Sequence, residues 1–108
     1  MIEIVPYRAS WPREFADEAA RIRTALGARA RRIDHVGSTA VPGLAAKPVI
    51  DIQLSVPSLD PLAMWVEALR ALGYTHVPLG DFDAVYPYFK RPDFAERANA
   101  WPRAEGTG

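Results

Sequence analysis

Residues 33–56 read IDHVGSTAVPGLAAKPVIDIQLSV, and this stretch decides the fold. Ile33 and Val36 give Arg32 to Val36 a β-branched character, and the Gly37-Ser38 pair ends that run as a turn. From Thr39 to Ala46 the residues are small and apolar, and Pro42-Gly43 leaves room for one short helical turn before it. Pro48 to Val56 is the clearest strand of the chain. Ile50, Ile52, Leu54 and Val56 share one face of a strand, and Asp51, Gln53 and Ser55 share the other. Two strands joined across a Gly-Ser turn, one with a buried and a polar face, require helices to cover the apolar side.

The flanks supply those helices. On the N-terminal side, Ile2 to Val5 is a short strand or extended arm stopped by Pro6. Ser10 then marks a helix start, with Pro12 in the first turn and Glu14, Asp17 and Glu18 complementing the positive helix end. Phe15, Ala19, Ile22 and Leu26 form one apolar stripe, and Gly27 is the stop. On the C-terminal side, Pro57 closes the long strand, and Ser58 or Asp60 caps a second helix with Pro61 in its first turn. Its stripe is Leu62, Val66, Leu69 and Leu72, with Trp65 beside it and Gly73 at the end. Tyr74 to Val77 is a third strand, and Phe82 to Phe89 a further one interrupted by Pro87. Residues 91–108 show no apolar period and read as irregular. The order helix, strand, strand, helix, strand predicts an α+β fold, an α/β sandwich with helices packed on a small mixed sheet.

The 108 residues suit a single domain with one core, residues 1–108. With 49% apolar and 24% charged residues, neither a disordered nor a fibrous class is indicated. Thirteen basic residues balance thirteen acidic ones, so no global positive field holds nucleic acid, and a nucleic-acid partner is not expected. Arg21, Arg23, Arg29, Arg31 and Arg32 do cluster, with no acid between Glu18 and Asp34. They either guide an anion to the nearby turn or, the reading the pattern favours, face solvent and the negative end of the helix dipole. The absence of cysteine excludes disulfides, thiolate metal sites and cysteine nucleophiles. No signal peptide or membrane-length apolar run is present, so the expected location is cytoplasmic, away from any membrane.

The candidate site lies in the opening stretch. Backbone N–H groups at a Gly-Ser turn make an anion pocket, Gly37 admits a phosphate closely, and Ser38 and Thr39 add hydroxyls. Asp51, pointing off the next strand, is placed to hold Mg²⁺ beside such a phosphate. His35 adjoins the turn and titrates near neutrality, and Lys47 carries a charge that pairs with phosphate. The same residues also suit a plain turn, a strand-start cap and a packed histidine. Asp81 and Asp83 alternate as a further acidic pair in what reads as a turn, and Tyr86, Tyr88, Phe89, Lys90 and Arg91 read either as an aromatic and basic wall or as core edge plus surface charge.

Residues 33–54, together with Val5-Pro6-Tyr7 and Trp11-Pro12, resemble the GrpB family, uncharacterised proteins with a nucleotidyltransferase-like fold that also occur fused to dephospho-CoA kinases. The likeness covers roughly residues 3 to 90. The resemblance implies a nucleotidyltransferase-like transferase centre in which Gly37 and Ser38 are the phosphate turn and Asp51 is the first metal carboxylate, bound to Mg²⁺ and in the catalytic position. The wider superfamily places a second carboxylate two residues on, where this chain has Gln53, and a third on a later strand. Many family members also continue into a histidine-rich strand, whereas this chain has only His35 and His76, so it reads as truncated at the C-terminus or reduced. The expected partner is a nucleotide or other phosphate-bearing small molecule. The alternative is a non-catalytic accessory or protein-interaction domain that self-associates through an apolar surface at Trp65, Tyr86, Phe89 or Trp101.

Overall fold

In the computed structural model, which describes residues 3–91 and 98–105, the two strands flanking the turn pair antiparallel. They are β1, Arg32–Val36, and β2, Ile50–Val56, and they run from Val36 opposite Asp51 to Arg32 opposite Ser55. Their connection contains a 3-10 turn, Ser38–Ala40, the short helical turn expected before Pro42. The alternation of β2 holds along its length: Ile50, Ile52, Leu54 and Val56 are buried, while Asp51, Gln53 and Ser55 are half-buried on the other face.

Helix α1, Trp11–Leu26, buries Trp11, Ile22 and Leu26 and ends at Gly27, whose φ of 57° is a conformation side chains resist. Ser10 does not cap it through its side chain; its hydroxyl donates to the Glu14 carboxylate at 2.8 Å instead. Helix α2, Leu62–Arg70, has Pro61 at its cap rather than in its first turn, and neither Ser58 nor Asp60 bonds its free amides. The Ser58 hydroxyl accepts the Asp60 N–H at 3.1 Å. Trp65 and Leu69 are the fully buried members of α2, so Trp65 lies at the centre of the stripe, not beside it.

The sheet has five strands in the order β1-β2-β5-β4-β3, with β3 at Thr75–Val77, β4 at Tyr88–Arg91 and β5 at Ala98–Ala104. Strand β5 runs parallel to β2 and antiparallel to β4, inserted between them. This corrects the irregular reading of residues 91–108: within the described residues the segment supplies a central strand. Its apolar members are Ala98, Ala100, Pro102 and Ala104, which pack against the buried row of β2 but carry little hydrophobic signal in sequence. Pro102 looks like a breaker, yet it lies past the last β4 pair, Phe89 with Ala100, where that side of β5 is an edge and a missing N–H is tolerated. Residues 82–89 are likewise not one strand. Gly80–Ala84 forms a 3-10 turn and the strand begins only after Pro87, at Tyr88. Asp83 closes that turn by accepting the Leu79 N–H at 3.2 Å and bonding His76 at 3.3 Å.

Both helices cover one face of the sheet, where Ile22, Leu26, Trp65 and Leu69 meet the buried row of β2 together with Phe89, Ala98 and Ala100. A buried ionic cluster stitches α1 to the far strands. Glu18 accepts two bonds from Arg21 at 2.9 Å, one from Arg91 at 2.9 Å and one from the Tyr74 hydroxyl at 2.6 Å. The N-terminal arm is held by paired backbone bonds between Val5 and Ala46, both 2.9 Å. Among the described residues no helix is long and apolar enough to cross a membrane.

Candidate functional site

By strand register, the face without helices carries Asp34 and Val36 from β1, Asp51 and Gln53 from β2, Asn99 and Trp101 from β5, and Tyr88 and Lys90 from β4. At its β1 end the chain turns at Gly37, with φ 78° and ψ −169°, a region open in practice only to glycine. A methyl group placed on Gly37 would lie 2.6 Å from Asp51 Oδ2. The carboxylate therefore rests directly on the turn, and glycine is required there both by the backbone and by the close approach.

Asp51 is held from the other side by two residues of β5. Asn99 Nδ2 donates to Asp51 Oδ1 at 2.8 Å, and the Trp101 side chain lies near enough to favour the charged carboxylate. The Tyr88 hydroxyl in turn donates to Asn99 Oδ1 at 2.8 Å, and the Tyr88 and Trp101 rings stack with centroids 4.4 Å apart. Burial raises the Asp51 pKa above the usual carboxylate value, an effect that Asn99, Trp101, His35 and Lys47 only partly offset. Burial likewise raises the Tyr88 phenol, helped by the Asp51 charge. A carboxylate short of compensating charge on a half-buried face is suited to a cation or to a ligand that brings one.

The remaining expected site residues divide in two. Ser38 is exposed at the start of the 3-10 turn, and Lys47 is exposed in the loop entering β2, its charge felt at Asp51. His35 and Thr39 belong to the helix side. His35 stands opposite Ile52 and stacks on Phe15 with centroids 4.9 Å apart, and burial pushes its pKa down despite the pull of Asp51. Thr39 is buried, and its hydroxyl donates to the Val49 carbonyl at 3.2 Å, so it accepts from His35 Nε2, 2.9 Å away. These two residues brace the turn from the helix side, on the opposite face of the strands from Asp51.

The arginine run is spent mostly within the fold. Arg23 donates to the Ala30 carbonyl and Arg29 to that of Leu26, at the carbonyl end of α1, as the helix-end reading requires. Arg31 pairs with Glu105 and Arg32 with Asp34. Asn99 and Trp101 were not legible as partners of Asp51 because their segment lacks strongly apolar residues. The signal that identifies them is their two-residue spacing between alanines in Ala98-Asn99-Ala100-Trp101. A separate groove of about 290 Å³ is lined by Leu59, Asp60, Leu62, Asp83 and Ala84 and includes none of these residues. Among the described residues no three His, Cys, Asp or Glu side chains group so that they could hold a metal ion between them.

The family model described as GrpB protein matches residues 1–104. A UPF0157 protein of Halalkalibacterium halodurans is 47% identical over 74 residues, which are 68% of this chain and 38% of that protein. A UPF0157 protein of Pseudomonas aeruginosa is 54% identical over 74 residues, 68% of this chain and 30% of its own length. A dephospho-CoA kinase of Mycolicibacterium paratuberculosis is 49% identical over 76 residues, 68% of this chain and 19% of that protein. The chain thus spans well under half the length of these relatives. The crystal structure of the conserved protein GrpB from Enterococcus faecalis matches with a TM-score of 0.81, over 97% of this chain and 63% of that one, at 24% identity. That likeness establishes the fold.

Proposed function

Because the chain belongs to the GrpB family, we propose that this domain binds a nucleotide or another phosphate-bearing small molecule on the helix-free face of its sheet, and does not itself transfer the phosphate. The observation that carries the reading is the seating of Asp51 on the Gly37 turn, which brings anion-binding backbone and a carboxylate into one contact. In this reading the phosphate lies on Gly37 and Ser38, with Lys47 near the same charge. Asp51 holds the Mg²⁺ that accompanies it.

The donor set fits one such ion and not two. Mg²⁺ is commonly bound through one carboxylate together with phosphate oxygens and retained waters, and Asp51 supplies that carboxylate. The flanking positions on the same face, Gln53 on β2 and Asn99 on β5, are amides, and Asn99 turns its donor end toward Asp51. A clamp of two metal ions, which stabilises both attacking and leaving oxygens, needs more negative charge than this. When bound, the ion would neutralise phosphate charge. Binding without transfer is the activity these residues support.

Calorimetric titration of nucleoside triphosphates, coenzyme A and dephospho-coenzyme A, with and without Mg²⁺, tests the reading. The dephospho-CoA kinase name of one relative makes the last two worth including. Mg²⁺-dependent binding is expected for the parent and is weakened in Asp51→Asn and in Ser38→Ala. Absence of binding in the parent, or equal binding in both variants, removes the proposal. Release of pyrophosphate from a labelled triphosphate would show transfer and overturn the second half of it.

A second reading, a protein-interaction domain, is favoured by the exposure of Phe82 (69%), Val85 (48%) and Tyr86 (41%) within one turn-rich segment. Of the other residues expected on such a surface, Trp65 and Phe89 are core and Trp101 is half-buried against Tyr88. Concentration-dependent association that is abolished by Phe82→Ser would support it, and a strictly monomeric parent with no captured partner would count against it.

A further inference from the structure

We infer that Tyr88 and Asn99 are positioning residues for Asp51, a relay across three strands that fixes one carboxylate oxygen and leaves the other at the Gly37 turn. The inference rests on the reading of that turn and carboxylate as the ligand site. An asparagine amide has two ends of similar shape and opposite function: its oxygen only accepts and its nitrogen only donates. Its orientation is therefore chosen by its partners. An ionised Asp51 can only accept, so it needs the nitrogen end, and a reversed amide would set oxygen against oxygen.

Tyr88 enforces that choice. Its hydroxyl donates to Asn99 Oδ1 at 2.8 Å, and the amide then presents Nδ2 to Asp51 Oδ1, also at 2.8 Å. The phenol is itself held in place, because its ring stacks on Trp101 at 4.4 Å and 18° between planes. The relay thus runs from β4 through β5 to β2: the register sets Asn99 beside Asp51, and Tyr88 reaches Asn99 on the diagonal, two residues along β4 from Lys90, the register partner of Asn99. With Oδ1 occupied, Oδ2 remains the oxygen against Gly37. A cation arriving with a phosphate meets one oxygen in one orientation, and the chain does not have to order it on binding.

The consequence separates the two residues from mere packing. If Tyr88 acts only through the amide, its hydroxyl matters when Asn99 is present and is without effect when Asn99 is absent. The test uses Tyr88→Phe, which keeps the stacked ring, Asn99→Ala, and the double variant, each first shown by its melting curve to be folded. In the ¹⁵N spectrum of the free parent, the Asn99 side-chain amide, assigned by its loss in Asn99→Ala, is expected as two separate protected resonances. Tyr88→Phe should speed their exchange by about tenfold or more. Mg²⁺-dependent triphosphate binding should weaken about tenfold in each single variant, the loss of roughly one hydrogen bond to a charged group. The double variant should be no weaker than Asn99→Ala alone.

An amide unchanged by Tyr88→Phe, or equal weakening by Tyr88→Phe in both backgrounds, overturns the relay. Failure of the ligand-site reading shows separately, as unchanged affinity in Asp51→Asn or no binding by the parent. The amide measurement needs no ligand and decides the relay in that case also.

Discussion

Alanine at Gly37 is expected to be among the most damaging single methyl additions in this protein. The backbone at φ 78° and ψ −169° lies where a side chain costs about 1–3 kcal/mol. The new methyl would also stand 2.6 Å from Asp51 Oδ2, 3.2 Å from its Cγ and 3.1 Å from its Cβ. The carboxylate must rotate away, at about 1 kcal/mol for a displaced rotamer, and it then surrenders the Asn99 bond, a charge-assisted interaction of about 1.5–3 kcal/mol. The sum is about 3.5–7 kcal/mol, a large share of the roughly 5–15 kcal/mol that holds a domain of this kind together. Urea unfolding followed by circular dichroism measures it. Gly27→Ala is the control, because Gly27 also has positive φ, at 57°, but a methyl there would meet nothing within 4 Å. The difference between the two variants isolates the Asp51 contact at about 2.5–4 kcal/mol. Asp51→Ala should relieve part of the Gly37→Ala loss, a coupling on the order of 1 kcal/mol, since the oxygen clash disappears and only the 3.1 Å approach of the two Cβ atoms stays. Equal losses at Gly27 and Gly37, or a Gly37 loss under about 1 kcal/mol, would refute the seating of the carboxylate on the turn.

Four further outcomes are expected. Glu18→Ala removes the carboxylate that the Arg21, Tyr74 and Arg91 side chains all bond, and should cost at least about 1.5–3 kcal/mol by the same urea measurement. Burial alone would raise the Glu18 pKa, but the bonds from Arg21 and Tyr74 and the charge of Arg91 hold it below 4.5. Its contribution is therefore complete above pH 4.5 and lost as pH falls through the lower folded value, and the urea midpoint of Glu18→Gln should lack that acid-side decline. The His35 pKa lies below 6.5 because burial against Phe15 disfavours the cation. The fold gains full benefit from neutral His35 above pH 6.5 and loses it as pH falls toward the folded value, so His35→Gln should flatten the urea midpoint between about pH 7 and 5, and an unchanged slope would contradict it. Ala100→Val adds bulk at a fully buried site between Ile52 and Phe89 and should destabilise by about 1–3 kcal/mol, whereas a frayed tail would tolerate it without a change in midpoint.

Much of the architecture was legible in the chain because its strongest elements satisfy local and tertiary demands together. The period of β2 and the stripe of α1 each place bulky apolar residues on one face, and both fold as those periods require. Where the local signal was weak, the reading failed in a consistent way. The strand Ala98–Ala104 builds its buried row from alanine and proline, residues with little burial to offer individually, and it is a strand because β2 and β4 supply partners on both sides. The same physics explains Trp65, whose indole N–H reaches the Ser58 carbonyl at 2.9 Å and so lets a large polar-tipped ring lie at the centre of the α2 stripe.

For the site, the sequence by itself determined the turn and the carboxylate and put them at the end of one strand and the start of the next. It also determined that Gln53 occupies the next polar position of β2, since the two-residue period admits no other residue there. Tertiary structure alone decided which side chains complete the site. Asn99 and Trp101 reach Asp51 from 48 or more residues away only because β5 inserts between β2 and β4, a pairing fixed by backbone bonds and sheet register. It also set His35 and Thr39 on the helix side of the sheet, although they flank the turn in the chain: strand alternation sends His35 to the helix face, and the Val49 carbonyl draws Thr39 inward after it.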